Sequence, residues 1–166
     1  MRRLLHLLLL FACSAHAETF EARVIRVVDG DSLIVLLGRE RIRVRLKEID
    51  APERKQPFGK QSQESLTALC ANKLARIAWT EKDRNGRTLG RVWCAGIDAN
   101  AEQVRRGMAW VFDRYVKDRS LYPVQGAART ARRGLWADAE PIPPWQWRQA
   151  TGSLEYSAAK QRSGAP

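Results

Sequence analysis

Residues 41–47, Arg-Ile-Arg-Val-Arg-Leu-Lys, alternate basic and apolar side chains without a break. Successive side chains of a β-strand point to opposite faces of the sheet, so this stretch predicts a strand with one apolar and one basic face. We expect Ile42, Val44 and Leu46 to enter a hydrophobic core. The basic side chains on the other face are mostly expected to be solvated, and Arg45 is treated separately below.

Outward from this strand, the sequence predicts four more strands at 20–28, 32–37, 74–80 and 88–94, and three helices at 60–70, 100–107 and 124–133. Asn85-Gly86 is a favoured hairpin turn between the last two strands. Asn100 is expected to cap the second helix, with Gln103 at the third helical position. Three strands, a helix, two strands and two helices fit a mainly β, α+β fold, a five-stranded Greek-key barrel of the OB type with three helices.

Two acidic clusters flank the alternating strand: Asp29-Gly30-Asp31-Ser32 and Asp50-Ala51-Pro52-Glu53. Each cluster alone is more often an ordinary turn or an exposed acidic loop. However, Arg45 stands just before the second cluster, and Arg87 follows in the predicted hairpin. Carboxylates bind hard cations, and arginine forks bind phosphate oxygens, so together these residues outline a metal-dependent nuclease.

The order and spacing of these motifs resemble those of the staphylococcal nuclease (thermonuclease) family. The matching stretches, over nearly all of residues 20–136, are Asp29–Ser32, Arg45-Leu46, Ile49–Glu53, Asp83–Arg87, Asn100–Trp110 and Gly134-Leu135-Trp136. The resemblance implies an OB barrel and calcium-dependent hydrolysis of DNA and RNA that leaves 3′-phosphates.

The resemblance also implies roles for individual residues. The calcium ligands would be the carboxylates of Asp31 and Asp50 and the backbone carbonyl of Ala51, and the catalytic residues would be Arg45, Glu53 and Arg87. Three positions depart from the family pattern. Ser32 replaces the common threonine and keeps its hydroxyl. Glu48 stands where glycine is frequent, and Asn85 stands where an aromatic residue often stacks on a base.

Further substrate contacts are expected from Lys82, Arg84 and Tyr115. The two basic residues lie beside the predicted hairpin and could contact backbone phosphates. Tyr115 follows the second helix, where an aromatic ring could stack on a base. An aromatic residue at that position could equally belong to the core.

The chain begins with features of a secretory signal peptide over residues 1–17. Met1-Arg2-Arg3 is basic, residues 4–13 are apolar, and Ala15-His16-Ala17 is a small-x-small cleavage site. A lipoprotein signal ending at Cys13 is an alternative that fits less well. Removal would leave 149 residues, a suitable length for one domain at 18–147 with a flexible C-terminal tail at 148–166. We therefore expect an exported protein, periplasmic or secreted, without stable membrane insertion.

The amino-acid composition excludes several types of active site in the exported chain. Both histidines lie in residues 1–17, which excludes Ser-His-Asp and Cys-His nucleophilic sites and His-based zinc sites. Cys70 and Cys94 would be the two remaining cysteines, and in an exported protein they favour a disulfide over two reduced thiols.

The formal charge falls from +11 to +9 on removal of the signal, because the signal contains two arginines and no acids. Such a charge favours anionic partners. We expect DNA and RNA as substrates and a monomer as the working form. The rival interpretations are a non-catalytic nucleic-acid-binding OB module and a cationic envelope protein that binds anionic polymer or lipid.

Overall fold

The structure is a computed structural model that describes the backbone of residues 18–162 and the side chains of residues 18–153. The expected signal peptide at residues 1–17 lies outside the described residues. No helix in the described part of the chain is both long enough and apolar enough to cross a membrane.

The described chain contains eight strands. In chain order they are β1 (Glu18–Val27), β2 (Ser32–Leu37), β3 (Glu40–Leu46), β4 (Ile49–Asp50), β5 (Leu74–Lys82), β6 (Thr88–Cys94), β7 (Ile97–Asp98) and β8 (Trp110–Val111). Six of them form one sheet in the order β3-β2-β1-β5-β6-β7, and a parallel pairing of β3 with β6 closes the first five of these strands into a barrel. This closed, mainly β arrangement confirms the predicted OB-type barrel.

Strand β3 is the alternating stretch of the sequence, and its burial follows the predicted pattern. Val44 and Leu46 are fully buried in the barrel core, whereas Arg41 and Arg43 are exposed. The end of β3 therefore delivers Arg45 to the outer face of the barrel, just before the turn into β4.

Four α-helices and one 3-10 helix accompany the strands in the described residues. They are α1 (Gly59–Cys70), α2 (Ala99–Arg105), α3 (Leu121–Thr130), the 3-10 helix Gly134–Ala137, and α4 (Pro144–Arg162). The prediction of three helices was therefore one short. The segment expected to be a flexible tail from residue 148 lies within α4 as far as Arg162.

The cap predicted for the second helix was also wrong. Asp98 caps α2, its Oδ1 accepting a hydrogen bond from the Ala101 amide at 3.1 Å. Asn100 is instead buried inside the fold. It donates to the carbonyl of Lys47 at 2.8 Å and accepts from the amide of Val92 at 3.0 Å. Its side chain therefore satisfies buried backbone groups, and the helix begins earlier.

A disulfide between Cys70 and Cys94 joins the end of α1 to the end of β6, with Cα atoms 5.2 Å apart. Both cysteines are fully buried in the main core. The disulfide therefore ties the helix to the barrel on a route separate from the strand hydrogen bonds.

Candidate active site

The turn before β2 is held so tightly that only glycine fits at its centre. A Cβ atom on Gly30 would lie 1.9 Å from Ser62 Oγ and 2.8 Å from Ala51 Cβ. The buried side chain of Gln103 donates to the Gly30 carbonyl at 2.7 Å. Helices α1 and α2 therefore press this turn against the loop after β4, which brings Asp31 close to Ala51.

Asp31, Arg45 and Asp50 form one contact network at this point. Arg45 Nη1 lies 3.0 Å from Asp31 Oδ2, and Arg45 Nη2 lies 2.8 Å from Asp50 Oδ1. Asp31 is 5% exposed, Asp50 is 1% exposed, and the Arg45 side chain is 12% exposed. Two carboxylates that are distant in sequence thus share one guanidinium at the edge of the barrel.

Backbone carbonyls fix the Arg45 guanidinium in this position. Its Nη1 donates to the carbonyls of Leu46 at 2.9 Å and Ile49 at 3.0 Å. These carbonyls flank the turn between β3 and β4, in which Glu48 has a φ of 68°. Glycine adopts this left-handed region freely, and a non-glycine residue such as Glu48 occupies it at a cost in conformational strain.

Burial raises the pKa of Asp31 to about 7 from an ordinary value of 3.8. The charge of Arg45 opposes this rise, and the neighbouring carboxylates of Asp29 and Asp50 add to it. The Asp31 Oδ2 atom also accepts a hydrogen bond from the Ala51 amide at 2.7 Å. A buried carboxylate beside other carboxylates is the environment in which a bound cation would favour the charged form.

The oxygen atoms of Asp31, Asp50 and Ala51 are of the type that binds calcium. Among the described residues, no group of three or more His, Cys, Asp or Glu side chains is arranged to hold a metal. Two carboxylates and a backbone carbonyl would thus leave several positions to water and substrate oxygens. Calcium accepts about six to eight oxygen ligands in flexible geometry, so this mixed set suits it better than a metal that needs nitrogen or sulfur ligands.

Glu53 joins this network through an arginine from the C-terminal helix. Arg148 Nη1 lies 2.7 Å from Glu53 Oε1, and Arg148 Nη2 lies 2.8 Å from Asp50 Oδ2. The side chains of Arg148 and Glu53 are 44% and 41% exposed. Glu53 therefore stands at the open side of the site, where water can reach its carboxylate.

Arg87 lies in the hairpin just before β6 and does not contact the carboxylates of this network. Its Nε donates to Asp83 Oδ2 at 2.8 Å within the hairpin between β5 and β6. The parallel register pairs Arg45 with Leu89, two residues beyond Arg87. Arg87 immediately precedes β6, so the hairpin holds it near the end of β3 that carries Arg45. The terminal nitrogens of Arg87 form no hydrogen bond with the described residues.

The pKa of Asp83 is lowered from its ordinary value. Burial opposes the change, but the Arg87 amide and guanidinium and the Asn85 amide donate hydrogen bonds to its carboxylate and outweigh burial. Asp83 is therefore a charged anchor for the hairpin that carries Arg87.

The remaining expected substrate contacts lie outside the network. Lys82 and Arg84 are exposed in the same hairpin as Arg87. Tyr115 is 57% exposed and meets Phe112 edge-on, with ring centroids 5.0 Å apart. The structure thus brings Asp31, Asp50, Ala51, Arg45 and Glu53 together and holds Arg87 in the hairpin just before β6. Lys82, Arg84 and Tyr115 lie on the surface around them.

The residue that the sequence interpretation missed is Arg148, which was assigned to the tail. Two features of the sequence point to it. Pro144 occupies the first helical position, where proline is favoured, and Trp145 is too apolar for a solvated tail. Arg148 follows Trp145 by three residues, which places both side chains on one face of the helix.

Comparisons with known proteins show which family the sequence is similar to. A sequence model of the family described as "Staphylococcal nuclease homologue" matches residues 43–138. The chain is 41% identical over 150 residues to an uncharacterized endonuclease of Escherichia coli O157:H7, covering 89% of this chain and 98% of that protein. It is 43% identical over 148 residues to an uncharacterized endonuclease of Haemophilus influenzae, covering 86% and 82% of the two chains.

A protein of Shigella flexneri named micrococcal nuclease is 40% identical over 143 residues, which cover 80% of this chain and 82% of that protein. The matched family region contains Arg45, Asp50, Glu53 and Arg87, and it ends before Arg148. The family model covers more than half of the chain, and these relatives are 40% or more identical over most of it. The chain therefore belongs to the family of staphylococcal nuclease homologues.

Proposed function

We propose that this protein is an exported, calcium-dependent nuclease that hydrolyses phosphodiester bonds in DNA and RNA with little sequence specificity and leaves 3′-phosphates. The observation that carries the proposal is the network in which Arg45 contacts both buried carboxylates, Asp31 and Asp50, at the edge of the barrel. Family membership supports nuclease chemistry, and so do the relatives named endonuclease and micrococcal nuclease.

The calcium site would consist of the Asp31 and Asp50 carboxylates and the Ala51 carbonyl. When bound there, calcium supplies positive charge that polarises the phosphodiester. The near-complete burial of both carboxylates means that they are already desolvated before the ion arrives. With few protein ligands, the expected affinity is weak, with a dissociation constant on the order of 10⁻⁴–10⁻³ M.

Glu53 is the proposed general base. Its carboxylate is partly exposed, so a water molecule can approach it from the open side of the site. A carboxylate in this position accepts the proton of that water as the oxygen attacks phosphorus. General base catalysis of this kind contributes typically about 10²–10⁴-fold in rate.

The proposed roles of Arg45 and Arg87 are to bind the phosphoryl oxygens and stabilise their charge as the bond to the leaving oxygen breaks. Arg45 is fixed by carbonyls and carboxylates, whereas Arg87 is held by one carboxylate and keeps its terminal nitrogens available. Guanidinium groups that stabilise phosphoryl transition states contribute about 10³–10⁵ in rate.

Export and the monomeric state remain part of the proposal. The sequence pattern of residues 1–17 supports export, and the single barrel with its own core supports a monomer. The open, polar site favours single-stranded or locally unpaired substrate.

The decisive experiment incubates purified residues 18–166 with denatured DNA and with RNA, in calcium or in chelator, beside a Glu53→Gln variant. We expect calcium-dependent degradation that this variant loses by about 10²-fold or more. Glu64→Gln is the matched control, because Glu64 is 63% exposed on α1 in an ion pair with Lys60. Products should accept a 5′-label directly, as 5′-hydroxyl ends do.

Three outcomes would contradict the proposal. Binding of DNA without degradation would favour the non-catalytic OB module. Equal degradation in chelator would remove the calcium requirement. Absence of both binding and degradation, with binding to anionic vesicles or polysaccharide instead, would favour the cationic envelope protein.

A further inference from the structure

Arg148 contacts both types of acidic residue in the candidate site. Its Nη2 lies 2.8 Å from Asp50 Oδ2, and its Nη1 lies 2.7 Å from Glu53 Oε1 and 3.3 Å from Asp50 Oδ1. With Arg45, Arg148 is thus the second guanidinium on these carboxylates, and it comes from a helix beyond the region that the family model matches.

The start of α4 is anchored so that Arg148 reaches this position. Trp145 stacks on Phe112, with ring centroids 5.4 Å apart and an interplanar angle of 6°. It also meets Trp110 edge-on at 5.7 Å. Both partners belong to the strand pair and loop beside Asp50, because Trp110 pairs with Asp50 across β4 and β8. Aromatic packing of Trp145 therefore anchors the start of α4 next to the site.

A second contact ties the C-terminal segment to the loop that carries Glu53. The buried side chain of Gln56 donates to the Ile142 carbonyl at 2.6 Å and accepts from the Glu53 amide at 3.1 Å. The backbone of Glu53 is thereby fixed from the same segment that supplies Arg148 to its carboxylate. Among the described residues, Arg148 is the hydrogen-bond partner of that carboxylate.

We propose that Arg148 is a positioning residue of the active site: its guanidinium holds the Glu53 carboxylate in place relative to Asp50, and it competes with the metal ion for Asp50 Oδ2. This inference rests on the proposed nuclease function. It predicts that the loss of Arg148 has two effects of opposite sign. The general base loses its orientation, whereas the metal site loses a competing positive charge.

The opposite signs separate a positioning role from the alternatives. If Arg148 only stabilised the fold, its loss would lower kcat and calcium affinity together through unfolding and would not tighten calcium binding. If Arg148 only bound substrate phosphate, its loss would raise KM and leave kcat and calcium affinity unchanged. A hydrogen bond between charged groups contributes about 1.5–3 kcal/mol, which corresponds to about 10–100-fold in rate, so we expect kcat to fall by about that much.

The test compares wild-type protein, Arg148→Gln and Arg148→Lys. Arg39→Gln is the control for loss of one exposed positive charge, because Arg39 lies exposed in the turn between β2 and β3. Calcium affinity is measured by calorimetry without nucleic acid, and kcat and KM are measured on denatured DNA at saturating calcium. For Arg148→Gln we expect the fall in kcat, a KM within about threefold of wild type, and calcium binding about 3–10-fold tighter. Arg148→Lys should recover part of kcat, and Arg39→Gln should match wild type.

Unchanged kcat in Arg148→Gln, or weaker calcium binding, would overturn the inference. Thermal unfolding of each variant identifies loss of the fold, and if Arg148→Gln does not fold, the kcat and calcium affinity of Arg148→Lys decide. Failure of the proposed function has a different signature: the wild-type protein itself would not degrade DNA. The calcium titration still reports on the competition in that case.

Discussion

Two aspartate–arginine pairs in this protein have the same chemistry and opposite electrostatics. In the barrel pair, Asp31 and Arg45 lie 3.0 Å apart with side chains 7% and 12% exposed. In the hairpin pair, Asp83 and Arg87 lie 2.8 Å apart with side chains 16% and 27% exposed. Burial raises the pKa of Asp31 to about 7, whereas hydrogen bonds from its own hairpin lower the pKa of Asp83 in spite of burial.

The difference shows that a close ion pair does not by itself set the state of a carboxylate. Asp31 shares its arginine with Asp50 and lies beside the further carboxylate of Asp29, so burial and like charges outweigh the effect of Arg45. Asp83 receives several donors from one short hairpin, and its charge is fully satisfied. The barrel pair therefore lies at the proposed metal site, and the hairpin pair holds Arg87 in place.

The largest effect is expected from Arg45→Gln. Removing this guanidinium leaves the buried Asp31 without an arginine, whereas Asp50 keeps Arg148. Loss of one partner from a buried ion pair typically costs about 3–5 kcal/mol of stability. Loss of its charge at the phosphate should also lower kcat/KM by about 10³–10⁵-fold. Urea unfolding in chelator and kinetics on denatured DNA measure the two effects.

Calcium provides the control for this variant. A bound ion would compensate the charges of Asp31 and Asp50, so the stability loss of Arg45→Gln should shrink when unfolding is repeated at saturating calcium. A loss of equal size with and without calcium would contradict a metal site at these two carboxylates.

Arg87→Gln should separate activity from stability. Partly exposed ion pairs contribute about 0–1 kcal/mol, so the unfolding free energy should change little. The activity should nevertheless fall by about 10³-fold or more if Arg87 stabilises the transition state. A variant with wild-type activity would show that the hairpin pair is only structural.

The two pairs should also respond to pH in opposite directions. Between about pH 4 and pH 7, native Asp31 holds its proton more tightly than the unfolded chain does, so in chelator its contribution to stability falls as the pH rises. The slope from this residue is at most about 1.4 kcal/mol per pH unit. Asp83 behaves in the reverse way, and its contribution is lost as the pH falls through its lowered pKa.

Unfolding free energies measured across this range, for the wild type and Asp31→Asn, test the prediction. The Asp31→Asn variant should lack the decline between pH 4 and pH 7. The same decline in both proteins would mean that another group titrates there.

The smallest effect is expected from Arg84→Gln in the hairpin beside Arg87. Arg84 is exposed, and we expect it to contact only the substrate backbone. Its loss should raise KM a few-fold, leave kcat unchanged and reduce the salt dependence of DNA binding by about one counterion. A fall in kcat like that of Arg87→Gln would show that the two arginines share one role.

The parts of this molecule that were predicted from the sequence depend on local pattern. Strand β3 was predicted from the alternation of basic and apolar side chains over seven consecutive residues. The ends of β2 and β6 were also predicted correctly. Asp31, Asp50, Glu53 and the two arginines were selected through ordered motifs. Their contacts, by contrast, depend on closure of the barrel, which no single stretch encodes.

The errors arose where tertiary contacts override local preference. Asn100 and Asp98 are both good helix caps, and buried backbone groups near β6 recruit the Asn100 side chain away from that role. The polar composition after residue 148 is typical of a tail, and the anchoring of Trp145 by Phe112 places α4 on the fold. Arg148 was missed for this reason.

The most direct measurement is a crystal structure of the protein with calcium and a short oligonucleotide that carries a non-hydrolysable phosphorothioate link. We expect calcium between Asp31 and Asp50, with Arg45 and Arg87 both donating to the same phosphate group. A calcium ion bound elsewhere, or Arg87 still bound to Asp83 alone and remote from the phosphate, would contradict the assignment of these residues to one active site.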